Sequence, residues 1–442
     1  MEPFKIKKAE KLGEIPNAFQ PDPLDEINLA EFYYDKTMPT RMGSAVKSPL
    51  EDLYDECTEL VGTNAHLLLG HRGCGKSTEL INLKRQLEND GQPVHIFRTE
   101  LDANLYKVDR WDIMLFITEG LLSIAEKNNV KLPKKLVESV FDYLKKDIEE
   151  MEEITRFAMV SAEGEFAAAT GLSLLIKLCA SIKSSLQFGS QMRVIIREKI
   201  EKRAPEWMGY IREITDKIVT EMGGKQPILI FEGLDKIQPY ERAIEVFQDH
   251  NLSKMPFPVI YTFPISLTYD PRFATVGSLY KVRILPMIKV SNEDKTKNKD
   301  GIAVMREIVK LRADLELFDK DVLEYLIKQT GGVLRHLFEC IISAARFARR
   351  SGIEKISQTN AQDALSDISS LLSRQFSYKD HAALVNIYNG PSYRKLIEDE
   401  EFLLKKVHAL VILEYQNGDR WHDLHPLVAK LLISQGVINV EN

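Results

Sequence analysis

Residues Gly70 to Thr78 read Gly-His-Arg-Gly-Cys-Gly-Lys-Ser-Thr, a complete G-x-x-x-x-G-K-[ST] pattern. Before it, Ala65 to Leu69 form a short apolar run of strand type. After it, Glu79 to Leu87 are helix formers with apolar positions at Leu80, Leu83 and Leu87. A strand, a glycine loop and a helix in that order make a phosphate-binding loop. Glycine at 70, 73 and 75 lets backbone N–H groups face phosphate oxygens without Cβ clashes. The helix that follows aims its positive end at the same oxygens. Lys76 supplies a mobile cation, and the Ser77 hydroxyl is placed to ligate Mg²⁺. Gly70, Arg72, Gly73, Cys74, Gly75, Lys76, Ser77 and Thr78 are therefore the candidate nucleotide-binding residues.

The second half of such a site is an acid at the end of a buried strand. Gln226 to Gln238 reads Gln-Pro-Ile-Leu-Ile-Phe-Glu-Gly-Leu-Asp-Lys-Ile-Gln. The run Ile228–Phe231 is apolar throughout, as a parallel strand covered on both faces must be. Glu232 ends it, where it can meet a metal or its water, and Asp235 is the next acid. Other strand patterns fall at Pro93–Thr99, Pro258–Pro264 and Lys281–Leu285, alternating with helical patterns such as Trp111–Lys127. That alternation predicts an α/β domain with a parallel sheet.

The chain has 442 residues, 44% of them hydrophobic and 28% charged, with a net charge of −6. This is the composition of a soluble globular protein of two or three domains, and no global basic field draws it to polyanions. The four cysteines, Cys57, Cys74, Cys179 and Cys340, have neither metal spacing nor a disulfide framework. Together with a polar, lysine-bearing Met1–Glu14 that lacks a signal-peptide pattern, they predict a cytoplasmic location. Phe166–Leu186 is the most apolar stretch. Lys177 and Lys183 interrupt it, so it reads as amphipathic helix packed on protein rather than a membrane span.

Four segments follow from the patterns. Residues 1–49 hold an N-terminal arm, extended to about Pro23, and a helix. Residues 50–300 form the core, with a helical insertion at about 131–193. Residues 301–376 are all-helical, broken by Gly331-Gly332. Residues 377–442 contain short helices, a hairpin turning at Asn417-Gly418, and a last helix from Pro426. Helices, a two-stranded ribbon and a helix in that order predict a winged-helix module. Ser291–Asp300 reads as a charged, mobile surface loop.

With these residues in place, the chain resembles AAA+ ATPases of the initiator-like branch, the group of the origin-recognition proteins, and also the STAND signalling ATPases. The phosphate loop at Gly70–Thr78, the Walker B-like Ile228–Asp235 and the segment Thr330-Gly-Gly-Val-Leu-Arg335 carry the resemblance, which spans roughly residues 50–372 less the insertion. It implies a P-loop NTPase fold followed by a helical lid, with ATP and Mg²⁺ as cofactors. It also implies that Arg335 touches the γ-phosphate as sensor 2 and that Thr262 stands where a polar sensor 1 residue is expected. Strand propensity explains a threonine at 262 equally well. In the AAA+ pattern Walker B ends in Asp-Glu, whereas this chain has Glu232 and Gly233. The acid-Gly-apolar-Asp arrangement is similar to that of STAND ATPases, which makes Asp235 the candidate water-orienting base and Glu232 the candidate metal ligand beside Ser77. Slow turnover follows, which suits a switch better than a motor. Arg272, after the fourth strand, reads as a surface arginine in preference to a finger for a neighbour's γ-phosphate.

The tail from Lys379 onward carries seven bases against nine acids, too few cations for strong phosphate neutralisation. Only Lys405, Lys406 and Arg420 make a basic cluster, so protein docking is favoured over DNA binding. His408, His422 and His425 gather near the hairpin, where polar packing outweighs a metal site, and Trp421 reads as its core anchor. The leading functional expectation is an ATP-binding switch acting on a protein effector, as in bacterial signalling or antiviral defence, with homo-oligomers as one form of output. The alternative is a DNA-binding initiator or loader; a third is a module that holds nucleotide only structurally.

Overall fold

The computed structural model describes residues 5–43, 48–59, 64–98, 105–106, 108–148, 190–390 and 400–439. Five parallel strands form the central sheet in the order β2-β3-β4-β1-β5: β1 Ala65–Gly70, β2 Val94–Arg98, β3 Ile228–Glu232, β4 Val259–Pro264 and β5 Lys281–Ile284. The inner three are buried at every residue, which is why their sequences run apolar without alternation. Strand β4 lies between β1 and β3, so the phosphate loop leaving β1 and the acid ending β3 flank Thr262 of β4. Their carboxyl ends open on one crevice, the usual ligand position in such sheets. The expected α/β fold of P-loop NTPase type is present.

Helices cover both faces. Arg110–Lys127 packs on β2, opened by a reciprocal cap between Asp109 and Asp112. The flanks of the insertion, helices Lys134–Ile148 and Ser190–Glu221, pack near it, and Trp207 donates its indole N–H to Thr118 Oγ1 at 2.8 Å. The stretch Phe166–Leu186 lies outside the described residues. Among the described residues, no helix is long and apolar enough to cross a membrane.

The all-helical segment contains Lys299–Arg312, Val322–Gln329, Leu334–Arg350 and Gln358–Ser373. Gly331 and Gly332 turn the chain with φ of 61° and 82°, and a Cβ at 332 would sit 1.9 Å from the Ile288 carbonyl oxygen. Gly332→Ala combines left-handed backbone with that overlap and is expected to cost at least ~2 kcal/mol. A urea titration checks this.

Two segments depart from expectation. The N-terminal arm is not extended on the surface. Ile6, Ala9, Leu12, Ile15, Ala18 and Phe19 are buried, and Ala9 exchanges backbone hydrogen bonds with Arg312 and Asp314. The lysines and prolines there mask an apolar residue at every third position. The 291–300 loop is pinned rather than free: Lys295 pairs with Asp423, Lys297 pairs with Glu324, and Asn298 caps the helix that follows.

At the C-terminus, helices His381–Asn389 and Glu400–His408 precede an antiparallel hairpin of β6 Ile412–Asn417 and β7 Asp419–Leu424, then helix Pro426–Ser434. Gly418 turns the hairpin with φ 79°. Trp421 stacks on Tyr415 at 4.5 Å, as an anchor should. Ile412 to Tyr415 are all buried, and Leu413, Tyr415 and Trp421 share a core with Leu68, Cys74 and Val333. The hairpin is thus packed on the α/β core instead of projecting from it.

Candidate nucleotide site

Gly73 and Gly75 take φ of 76° and 104°, conformations a Cβ would strain, and these curl the loop into a cradle. Gly75 is also the N-cap of helix Lys76–Asn89 and brings no capping side chain. The first N–H groups of that helix are left for an anion.

Lys76 is buried, and its Nζ reaches Gly70 O at 2.8 Å, His71 O at 3.0 Å and Asp235 Oδ2 at 2.9 Å. Burial opposes its charge, but Asp235 foremost among its neighbours outweighs this and raises the pKa, so the ammonium persists. The Ser77 hydroxyl donates to Glu232 Oε1. Burial raises the Glu232 carboxyl pKa, the Ser77 bond opposes this and Asp235 adds to it, for a net rise. A buried carboxylate that resists ionisation beside a serine hydroxyl is an oxygen pair that a divalent cation would satisfy. Glu232 thus lies against the Ser77 hydroxyl, and Asp235 faces the phosphate-loop lysine.

Thr262 accepts from Asp235 N at 3.4 Å and donates to Phe231 O at 3.2 Å. It holds the turn that presents Asp235. The structure brings Thr262 to the acids without placing it on the cleft wall.

The cleft is lined by Arg72, Gly73, Gly75, Lys76, Ser77 and Thr78 on the loop side and by Asp235 and Lys236 beside them. Leu334, Arg335 and Phe338 close it from the all-helical segment, and Pro21, Asp22, Pro23 and Arg312 complete it. Its charged groups are five cations against two carboxylates, an excess matched to a polyphosphate. Arg335 donates its backbone N–H to Gly73 O at 3.3 Å, while its buried Nε lacks a hydrogen-bond partner among the described residues. A guanidinium with an N–H to spare, on a residue that lines the cleft, suits an anionic ligand. Gly70 and Cys74 do not line the cleft. Gly70 ends β1, and the Cys74 side chain is buried in the core beneath the loop.

Sequence reasoning missed three cations. Arg41 is buried and donates to Pro286 O at 2.5 Å and to Cys74 O at 2.8 Å, bracing the loop from behind. Arg312 donates to Ala18 O at 2.8 Å, and burial lowers its pKa to about 10. Lys236 is held down to about 8 by burial first, then by Arg335, Lys76 and Arg72. A lysine depressed in the folded state destabilises it below that pKa, and stability rises with pH between about 8 and the unfolded value. Bound phosphates would relieve the cost by raising the lysine pKa again. Nucleotide affinity is expected to fall as pH climbs through about 8, with proton uptake on binding. Calorimetry in buffers of different ionisation enthalpy measures that uptake.

Other candidates are drawn elsewhere. Arg272 forks onto Asp270, with Nη2–Oδ2 at 2.6 Å, and is half exposed. His408 bonds Ser266 Oγ at 3.2 Å and stacks on Tyr240, His422 meets Tyr269 and Glu414, and His425 bonds His336 at 3.1 Å. The three histidines do not converge, and no metal-holding group is found among the described residues. The expected basic cluster also dissolves. Lys405 pairs with Glu401, Lys406 is buried on Gln375 O and Asp380, and Arg420 lies over the Tyr269 ring.

No protein-family model and no curated protein matches the sequence significantly. Solved structures do. The Walker-type ATPase PABY2304 of Pyrococcus abyssi is similar at 15% identity over 94% of this chain and 99% of its own, with a TM-score of 0.45. The Aeropyrum pernix ORC2 protein, in ADPNP and ADP complexes, is similar at 12% identity over 93% and 98%, with a TM-score of 0.39. The Aeropyrum pernix ORC1 protein in complex with DNA is similar at 13% identity over 92% and 96%, with a TM-score of 0.34. Likenesses this distant say nothing of activity or partners, for which the chain's own residues must speak.

Proposed function

We propose that the chain is an AAA+-type ATPase of initiator-like architecture with a STAND-like acidic motif, working as a nucleotide-dependent switch. The observation that carries this reading is the pairing of Lys76 with Asp235 and of Ser77 with Glu232, on the phosphate loop, with Arg335 closing the same cleft. ATP would lie between residues 50–300 and the 301–376 lid, its phosphates on residues 72–78. Ser77 and Glu232 would hold Mg²⁺, which neutralises phosphate charge. Asp235, released from Lys76 as phosphates engage the ammonium, would orient the attacking water. Glu232-Gly233 in place of an Asp-Glu pair favours slow turnover, and slow turnover favours signalling to a protein effector, with oligomer formation as one output.

Arg335 would report the γ-phosphate. Arg335→Ala is expected to cost roughly tenfold in affinity for ATP and little for ADP, the size of one hydrogen bond to a charged group. Paired titrations with the two nucleotides test it.

The DNA-handling alternative asks for an exposed basic wing. Here β6 is buried, and Lys405, Lys406 and Arg420 have local partners. Steady-state hydrolysis with and without duplex DNA, using Lys76→Ala as the blank, separates the readings. Slow turnover indifferent to DNA is expected; turnover that rises with DNA would favour the initiator reading. A winged-helix role for residues 377–442 belongs to the same proposal, as docking module and not as DNA reader.

A further inference from the structure

Three consecutive residues of β6 bond to three different segments: the phosphate loop, the turn before the Arg335 helix and the chain beyond β5. The Glu414 backbone N–H donates to His71 Nε2 at 2.8 Å, and His71 lies inside the phosphate loop. The Tyr415 hydroxyl donates to Gly331 O at 2.8 Å, at the turn that launches the Arg335 helix. Lys289, beyond β5, donates to Gln416 O at 2.6 Å.

His71 is held at both ends. Its carbonyl accepts from Lys76 Nζ, and its ring accepts from β6. Because Nε2 accepts, the ring proton must sit on Nδ1. Burial foremost lowers the imidazole pKa to about 4, so this neutral form holds at physiological pH. The Glu414 side chain is itself fixed by the Tyr269 hydroxyl and approached by His422 Nε2 at 3.5 Å. The hairpin thus cannot slide along β6 without breaking a bond to the loop, to the lid turn or to the sheet edge.

We propose that β6 is a coupling strand: docking of the C-terminal hairpin pre-shapes the phosphate loop through His71, and bound nucleotide in turn locks the hairpin down. The proposal rests on the nucleotide-site reading above and adds the physical link between that site and the C-terminal module. Coupling of this kind is reciprocal, so loosening the hairpin must weaken nucleotide binding by the factor that nucleotide stabilises the hairpin. Bound nucleotide then sets how firmly the C-terminal module is held, which gives the switch its output.

The test uses the full chain and Mg·ATP. Hydrogen exchange of peptides covering residues 411–424 is followed with and without nucleotide, beside ATP affinity, in the wild type, Tyr415→Phe and His71→Leu. ATP is expected to slow exchange across the hairpin. Tyr415→Phe, which removes only the hydroxyl bond to the lid turn and keeps the ring in place, is expected to weaken ATP binding about three- to tenfold, the worth of one hydrogen bond. His71→Leu is expected to abolish the nucleotide-dependent protection; should it not fold, Tyr415→Phe decides alone. Tight ATP binding with unchanged hairpin exchange, or wild-type affinity in Tyr415→Phe, overturns the coupling while leaving the nucleotide site standing. A wild type that binds no ATP overturns both.

Discussion

Lys76→Ala is expected to lower ATP affinity by roughly a hundredfold or more, the cost of truncating one partner of a buried charge pair. The lysine is buried in the loop, and its ammonium has three partners: two loop carbonyls and Asp235. Its loss has a second consequence. Asp235 is 4% exposed and would be left buried without its partner. Breaking such a pair from one side costs about 3 kcal/mol, so the variant should also melt earlier than wild type. Lys76→Ala combined with Asp235→Asn removes both charges, and should regain much of that stability without regaining nucleotide binding. Thermal melts beside a fluorescent-nucleotide titration separate the two effects. A single variant that lost binding only in proportion to its lost stability would argue for a structural lysine.

Asp235→Asn alone is expected to do the opposite to binding and turnover. It frees Lys76 from competition, so ATP affinity should hold or improve. It also removes the candidate base, and hydrolysis should fall by about 10²- to 10⁴-fold, the range for loss of general base catalysis. Because Thr262 accepts from the backbone N–H of residue 235, the turn should keep its shape in the variant. Glu232→Gln is the comparison. If Glu232 and Ser77 hold the cation, that variant loses Mg²⁺-dependent affinity as well as turnover. Equal turnover in wild type and Asp235→Asn would move the base elsewhere and leave Asp235 as a counter-charge for the empty loop.

Much of the site was legible because its chemistry is local. Nine consecutive residues specify the phosphate loop, and the run Ile228–Phe231 with its terminal acid specifies the strand opposite. The three inner strands were legible for the same reason, since buried parallel strands need near-continuous apolar runs. What the sequence hid was long-range. Glu414 and His71 are 343 positions apart, and nothing near either residue announces the bond. The clue was Val411-Ile412-Leu413, an apolar run too long for an exposed wing. Arg41, Lys236 and Arg312 were missed because isolated cations in a chain with 28% charged residues carry no local signal. Arg272 and the Lys405–Lys406–Arg420 group show the converse: charges that look available in sequence are satisfied by Asp270, Glu401, Asp380 and an aromatic ring. The N-terminal arm failed for a different reason. Its three-residue apolar spacing was outweighed by lysine-rich composition, and its partners, Arg312 and Asp314, lie far along the chain.

The most direct measurement is a calorimetric titration of the purified full-length chain with ATP, in the presence and absence of Mg²⁺ at pH 7. One nucleotide per chain, bound more tightly with Mg²⁺ and taking up a fraction of a proton, is the result that this account requires. The absence of binding at millimolar ATP in a folded protein would contradict it, and would reduce Gly70–Thr78 to a structural turn.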